Sequence, residues 1–311
     1  MQSHQSSKTT LGVLLASSAG VAWGLSGVAA STLFSHYPQF TPLWISQVRM
    51  VSAGIILLLL SGLRHQHPLS IWREWRSAVL VIAYALLGLI PVQFFYFLAV
   101  QAGNASIATI LQYLGPFVIV IYYILRYRQA PRRAEVVGML LAFCGTALIV
   151  THGHLTSLSI SPLVLLWGGL SAVGVATNAL IPRAILPRFG ALNCTGWGLL
   201  LAGLAMNGYH PVWRHSVPFS WGATALVVAI VLVGTVLAFI LFTSSFSYIL
   251  PTTASLLDAF EPLSATVFSI LLLGTPLTGF DIGGGLLVII AVMCLTVDFS
   301  KYLRLLGQRK G

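Results

Sequence analysis

Charge is scarce in this sequence of 311 residues: charged side chains make up 7% of it, and only six residues are acidic. Soluble globular domains carry about 25% charged residues, so an ordinary soluble domain is excluded. Hydrophobic residues reach 57%, and the mean hydropathy is +0.92. A transmembrane helix needs about 20 apolar residues, and the long apolar runs do not alternate as transmembrane strands do. We therefore predict an all-α, polytopic membrane protein.

Cofactor motifs are also missing. The three cysteines, Cys144, Cys194 and Cys294, each lie in an apolar stretch without a partner at metal-site spacing, which predicts buried, reduced packing residues. The eight histidines lie in the N-terminal segment or in polar breaks, which excludes a histidine metal site within the membrane. No GxxxxGK(S/T) phosphate loop occurs, which excludes transport driven by the chain's own ATP hydrolysis. We predict no metal and no cofactor.

Ten apolar runs are bounded by charge, proline or glycine. The predicted crossings cover residues 11–34, 42–62, 77–99, 105–125, 134–151, 161–181, 191–208, 221–245, 252–273 and 278–297. Residues 1–10 are predicted to be a cytoplasmic N-terminal segment, and residues 298–311 a basic cytoplasmic tail. The first run is longer than a signal-peptide core of about 7 to 15 residues, so we expect the first helix to be retained.

Lysines and arginines give the expected orientation, since cytoplasmic loops hold them in excess. With the N-terminus inside, 14 of the 16 basic residues fall in the cytoplasm. Arg214 falls outside, and Arg49 lies within the second crossing. Both termini are therefore predicted to be cytoplasmic. The net charge of +10 indicates contact with anionic lipid headgroups rather than with nucleic acid.

An internal repeat organises the chain. Moving the sequence by 146 positions superimposes the third to fifth crossings on the eighth to tenth without a gap. This superposition matches Gly88 with Gly234, Pro116 with Pro262, Glu135 with Asp281 and Gly138 with Gly284. Glycine, proline and acidic residues rarely coincide by chance in so apolar a sequence. Five crossings per half is an odd number, so the second half must be inverted. The predicted architecture is two inverted five-helix repeats, residues 11–151 and 161–297.

The matched loops test this inversion independently. The loop after the fourth crossing, RYRQAPRR, is strongly basic, whereas its partner after the ninth crossing, LGTPLTG, carries no charge. Equivalent loops on opposite sides of a membrane are expected to differ in this way. Inverted repeats place a binding site near the midplane and allow one half to rock against the other. The sequence therefore predicts alternating access.

Three segments resemble those of the drug/metabolite transporter superfamily and its ten-helix, EamA-type exporters. They are Ala22-Trp23-Gly24 in the first crossing, Arg49 within QVRMVSAGIILLLL, and the ninth-crossing segment ASLLDAFEPLSATVFSILLLG with its Glu261-Pro262 pair. The resemblance covers nearly the whole chain. It implies a bacterial inner-membrane exporter of amino acids, with broad or aromatic preference, or of related small metabolites. Exporters of drugs or nucleosides in the same superfamily are the alternative.

Asp258 and Glu261 lie three residues apart on one face of the ninth crossing. A carboxylate at the bilayer centre costs about 2.5 to 3.5 kcal/mol or more, so it must be paired, protonated or next to water. Either acid could bind a substrate amine or a proton, and the alternative is a structural partnership with Arg49. Arg49 is the only base inside a crossing. It is expected either in such an ion pair or at a substrate carboxylate.

The repeat brings further polar residues to the same space. Gln112 corresponds to Asp258, which predicts that the two face a central cavity from opposite halves. Pro116 and Pro262 are expected to kink their helices by removing a backbone hydrogen bond, either for that cavity or for packing alone. The predicted substrate or cavity residues are Trp23, Tyr84, Gln93, Tyr96, Gln112, Tyr113, Trp167, Asn178, Asp258 and Glu261. For each aromatic residue, packing or contact with lipid is the alternative.

Other residues are expected to serve structure. Gly20 and Gly24 form a GxxxG motif that allows close helix contact, and glycines 283–285 are expected to do the same. Tryptophans that flank crossings are predicted to anchor the protein at the membrane interface. They are Trp72, Trp75, Trp213 and Trp221.

Together these features predict a secondary exporter that moves a small-molecule substrate across the lipid bilayer and is not an enzyme. An intramembrane enzyme needs catalytic acids on facing helices, whereas the close acids here share one helix. A channel or scaffold, the lower alternative, needs neither inverted halves nor midplane acids. Monomer and homodimer both stay open, as does proton coupling.

Overall fold

The computed structural model describes residues 2–103, 105–154, 161–214, 217 and 220–296. The predicted basic tail, residues 298–311, and the connection 155–160 lie outside the described residues. Within the described part the chain is helical and contains no strand. The helices are α1 (Gln2–His36), α2 (Pro42–Leu63), α3 (Trp75–Ala83), α4 (Tyr96–Ala102), α5 (Ala105–Gln112), α6 (Gly115–Tyr127), α7 (Arg133–Thr151), α8 (Pro162–Leu180), α9 (Leu186–Tyr209), α10 (Trp221–Val231), α11 (Ala238–Ser245), α12 (Pro251–Leu257), α13 (Phe260–Leu273) and α14 (Gly279–Thr296).

These helices confirm an all-α, polytopic membrane protein. Among the described residues, nine helical spans are long and apolar enough to cross a membrane, and a shorter apolar helix covers residues 279–294. Large apolar side chains such as Leu125 and Leu271 remain exposed on the outside of the bundle. Lipid covers such a surface in a membrane protein.

The helix ends differ from the predicted crossings at two places. α1 begins at Gln2 rather than at residue 11, because nothing in QSHQSSKTT breaks a helix that the apolar run continues. α9 begins at Leu186, but Gly190 has φ 75° and ψ 166° and interrupts it. Only glycine adopts that conformation readily, so the uninterrupted helix starts at residue 191 as predicted.

Four crossings are irregular in the middle of the bundle. The third contains π-helical turns at Tyr84–Leu89 and Pro91–Phe95, and the eighth contains one at Leu232–Leu237. The fourth is broken between α5 and α6, and the ninth between α12 and α13. These irregularities fall at corresponding places in the two halves of the sequence.

Helix contacts repeat when the two halves are exchanged. The first crossing packs on the eighth and ninth, and the sixth packs on the third and fourth. The second crossing pairs with the seventh (α2 with α9), and the fifth with the tenth (α7 with α14). The continuous pairs α2·α9 and α7·α14 thus frame the irregular crossings.

Glycines set the closest of these contacts. A Cβ atom at Gly284 would lie 2.6 Å from the Gly145 carbonyl oxygen, and one at Gly24 would lie 2.6 Å from the Glu261 carbonyl oxygen. Gly20 likewise faces the start of α13, where a Cβ atom would lie 2.9 Å from that of Phe260. The predicted GxxxG contact is therefore confirmed. Gly283 has open space around it, so its predicted packing role is wrong.

Two further expectations need correction. Cys144 is exposed on the face of α7 that turns away from α14, although Cys194 is fully buried as predicted. Trp72 does not stand out from the bundle, because its ring packs edge-on against Trp197 with centroids 5.0 Å apart. The other flanking tryptophans are 72 to 80% exposed at the ends of crossings, as expected for interface anchors.

The end of the bundle that holds the connections 63–75, 127–133, 180–186 and 245–251 is called here the basic end, and the opposite end the far end. The connection 63–75 is fixed there by Ile71, which is fully buried, and by Trp197 Nε1, which donates to the Pro68 carbonyl at 2.8 Å. Glu74 and Arg188 form an exposed ion pair beside it. The hydrogen bond from Arg188 lowers the pKa of the Glu74 carboxyl, so any stabilisation from this pair is lost as acid protonates Glu74.

We expect Gly284→Ala to destabilise the protein and Gly283→Ala to leave it unchanged or slightly more stable. The new methyl group at position 284 meets the Gly145 backbone, and overpacking of this kind costs about 1–3 kcal/mol. At position 283 the methyl group meets nothing within 4 Å. The apparent melting temperature of the purified protein in nanodiscs measures both. Equal melting temperatures for the two variants would contradict the close α7·α14 contact.

Candidate functional site

A cavity of about 330 Å³ lies in the middle of the bundle, where the irregular crossings meet α1, α2 and α8. It extends from the centre toward the far end, where Phe34 and Ile45 line it. The structure brings together eight of the ten predicted cavity residues. They are Trp23, Gln93, Tyr96, Gln112, Tyr113, Asn178, Asp258 and Glu261. Arg49, Pro116 and Pro262 line the same cavity.

Two predicted residues lie elsewhere. Tyr84 is fully buried in a packed cluster with Met50 and Leu199, where Gly198 leaves room for its ring. Trp167 does not line the cavity; it packs against Phe95, with ring centroids 5.4 Å apart. Both predictions failed because a crossing that is apolar all round gives no periodic signal for its inner face.

The two acids stand at the break in the ninth crossing. Asp258 closes α12, and Glu261 lies in the first turn of α13. Glu261 lies midway along the crossing and lines the cavity. A carboxylate at that depth needs a partner, a proton or access to water, and the cavity is the space through which water can reach it.

Arg49 forms no ion pair in this conformation. Among the described residues the ion pairs are Arg188–Glu74 and His152–Asp281. Glu261 interacts with Arg49 electrostatically across the cavity, but the ion pair expected from the sequence is not made. The cavity therefore holds a cation and two acids that are kept apart.

Side chains from other crossings donate to backbone carbonyls that lie one turn before a proline. Pro262 has no N–H to offer the Asp258 carbonyl, which accepts from the Glu261 N–H at 2.8 Å and from the Tyr113 hydroxyl at 2.6 Å. Pro91 likewise frees the Leu87 carbonyl, to which the Thr177 hydroxyl donates. The fourth and ninth crossings are broken in the turn before Pro116 and Pro262, where each proline removes a backbone hydrogen bond of the helix.

Gln112 serves mainly to hold helices together. Its Nε2 donates to the Val92 carbonyl at 3.0 Å and to Ser171 Oγ at 2.7 Å. It thus ties the fourth crossing to the third and the sixth. Tyr96 and Thr109 also share a hydrogen bond, with their oxygens 3.1 Å apart.

Several lining residues were missed by sequence reasoning. Phe239 and Phe242 pack edge-on against Trp23 at 5.3 and 5.1 Å between ring centroids. Ser46 lies one helical turn before Arg49 and lines the same cavity. The sequence did contain a signal for Ser46: it lies three residues before Arg49, which puts the two side chains on the same face of α2. Nothing in the apolar eighth crossing singled out the two phenylalanines.

Comparison with known proteins decides the family of this bundle. Residues 10–151 and 162–297 both match the EamA-like transporter family. The chain belongs to that family. As an EamA-like transporter, it is an integral membrane protein whose cavity is the place to look for a small-molecule substrate.

Two relatives of this EamA-like transporter are described as transporters and match it over most of their length. The chain is 31% identical to the "Uncharacterized inner membrane transporter YicL" of Salmonella typhimurium (strain LT2) over 296 residues, which cover 95% of this chain and 98% of that protein. It is 23% identical over 279 residues to the "Uncharacterized transporter sll0355" of Synechocystis sp. (strain PCC 6803), covering 83% and 82%. A crystal structure shares the fold with a TM-score of 0.77 at 19% identity, covering 92% of this chain and 96% of that one.

We expect Tyr113→Phe to destabilise the protein by about 1–2 kcal/mol, because it leaves the Asp258 carbonyl with one hydrogen bond fewer in a buried setting. In a Pro262→Ala background the new N–H of residue 262 can reach that carbonyl, so the cost should shrink by at least about 0.5 kcal/mol. Melting temperatures of the four proteins in this double-mutant cycle measure the coupling.

Tyr96→Phe is the matched control, because its hydroxyl bonds to Thr109 and not to the ninth crossing. Strict additivity of Tyr113→Phe and Pro262→Ala would contradict the assigned role of Tyr113.

Proposed function

We propose that this EamA-like transporter is a secondary exporter of amino acids or related small metabolites and that it works by alternating access. The observation that carries the proposal is a midplane cavity lined by one base and two acids, with Arg49 on α2 and with Asp258 and Glu261 at the break in the ninth crossing. Its volume of about 330 Å³ suits a small solute, since ligand pockets run from about 300 to 1,000 Å³.

The lining favours an amphiphilic zwitterion. Aromatic rings from Trp23, Tyr96 and Phe239 lie beside the charged groups, so an apolar side chain and a charged head can be held together. A nucleoside would use the rings but has no groups for both the base and the acids. The charges thus favour amino acids over the drug or nucleoside alternatives.

The exchange of contacts between the halves supports alternating access. In two inverted repeats, the contacts that close one end of the bundle have equivalents that can close the opposite end. When one half rocks against the other, the first set of contacts breaks and the second set forms. Here the cavity reaches toward the far end, and on the side of the basic end buried apolar residues such as Ile119, Phe246 and Leu257 pack together. We propose that this is the outward-facing conformation.

Charge sets the proposed orientation. The described arginines of the connections and helix ends lie at the basic end, with the exception of Arg214. They are Arg64, Arg73, Arg76, Arg126, Arg128, Arg132, Arg133, Arg183 and Arg188. Cytoplasmic loops hold positive charge in excess, which favours this end as the cytoplasmic one and agrees with the cytoplasmic termini expected from the sequence. Export then runs from the basic end to the far end.

We expect Glu261→Gln and Asp258→Asn each to lower the initial rate of transport by about tenfold or more, the loss that about 1.4 kcal/mol of binding free energy gives. The measurement is uptake of radiolabelled L-phenylalanine into proteoliposomes, with saturation and competition by unlabelled L-phenylalanine. Glu135→Gln is the matched control, since Glu135 caps α7 at the basic end, away from the cavity.

If both cavity variants transport L-phenylalanine at the wild-type rate, neither acid takes part in the mechanism. Flux that neither saturates nor is competed would favour a channel, and flux that ignores an imposed pH gradient would indicate facilitated diffusion rather than proton coupling.

A further inference from the structure

We propose that Ser46 and Arg49 of α2 form the subsite that binds the carboxylate of the transported solute. This inference rests on the proposed function and deepens it by giving the anionic group of the substrate a specific place. It also assigns roles that the comparisons leave open, since the relatives carry no substrate in their descriptions.

One buried polar atom on each of these two residues lacks a hydrogen-bond partner in the part of the chain that the structure describes. Ser46 is fully buried, and its Oγ makes no hydrogen bond among the described residues; Arg49 Nε is buried and equally unbonded. Both residues line the cavity. Buried donors are normally satisfied, so two unsatisfied donors on one wall indicate that a bound acceptor completes them.

The neighbouring residue shows that α2 satisfies its polar groups elsewhere. Gln47 is buried between α2 and α9, and its Nε2 donates to the Met206 carbonyl at 3.1 Å and to the His210 carbonyl at 2.5 Å. Gln47 thus has partners on α9, whereas Ser46 Oγ and Arg49 Nε on the cavity side have none among the described residues.

The donor geometry matches a carboxylate. A guanidinium offers parallel N–H groups that bind a carboxylate in bidentate fashion. The hydroxyl of Ser46 lies one helical turn away on the same face, where it can donate to the same group. The internal acids do not occupy this position, because Arg49 is in neither of the ion pairs of the described chain.

Unsatisfied acceptors lie on other crossings around the same cavity. Asn178 Oδ1 and Asp258 Oδ1 are buried without hydrogen-bond partners among the described residues. They suit the ammonium group of the same solute. A molecule with a carboxylate and an ammonium group can therefore satisfy donors and acceptors that the protein leaves unpaired.

The test separates the two charged groups by using three probes with one phenyl ring each. L-Phenylalanine carries both groups, 3-phenylpropionate only the carboxylate, and phenethylamine only the ammonium. Their affinities for the purified full-length protein in nanodiscs are measured by isothermal titration calorimetry, for the wild type and for the Arg49→Gln and Ser46→Ala variants. Arg49→Lys is included because it keeps the charge but loses the bidentate fork.

We expect Arg49→Gln to weaken binding of both carboxylates by about tenfold or more and to change phenethylamine binding by less than about twofold. This is the loss of a charged hydrogen bond on one group only. Ser46→Ala should act in the same sense with a smaller effect, and Arg49→Lys should fall between. Arg76→Gln, which removes an exposed arginine at the basic end, should change none of the affinities.

Equal weakening of phenethylamine and the carboxylates by Arg49→Gln would overturn the subsite, as would unchanged carboxylate binding or a wild type that binds neither carboxylate. Melting temperatures of the variants show whether a loss comes from misfolding. If the wild type binds 3-phenylpropionate through Arg49 but not L-phenylalanine, the subsite stands and the amino-acid proposal fails. The two proposals can thus fail separately.

Discussion

The satisfaction of backbone hydrogen bonds inside lipid is the constraint on which this structure depends. A crossing can be irregular only where the freed groups are bound by protein or face a watery space. All four irregular crossings line the cavity, together with α1, α2 and α8. Their freed carbonyls accept hydrogen bonds from Tyr113 and Thr177, which come from other crossings.

The regular crossings give the bundle its frame. α2 packs on α9 and α7 packs on α14, and at the second contact the Gly145 and Gly284 backbones approach closely enough to exclude a side chain. Small residues drive such contacts in lipid, because apolar burial gives no advantage there. These continuous pairs, each made between the two halves, frame the broken helices that line the cavity.

Hydropathy and punctuation in the sequence sufficed to predict the ten apolar segments, because the bilayer dictates their length. They also located Asp258, Glu261, Pro116 and Pro262, since charged residues and prolines are rare inside a crossing. Which side of each helix turns inward was less predictable. Tyr84, Trp167 and Cys144 were placed wrongly because their crossings are apolar on all faces, and the separation of Arg49 from the acids depends on packing between distant helices.

The accessibility of engineered thiols measures directly whether the cavity at the centre of the bundle is hydrated. In a variant with the native cysteines replaced by alanine, Ala265→Cys lines the cavity and Ile289→Cys faces outward from α14. We expect a charged methanethiosulfonate reagent to modify the cysteine at position 265 in membranes and to spare the one at position 289. A bound solute should slow the reaction at position 265. Equal protection of both thiols would contradict it.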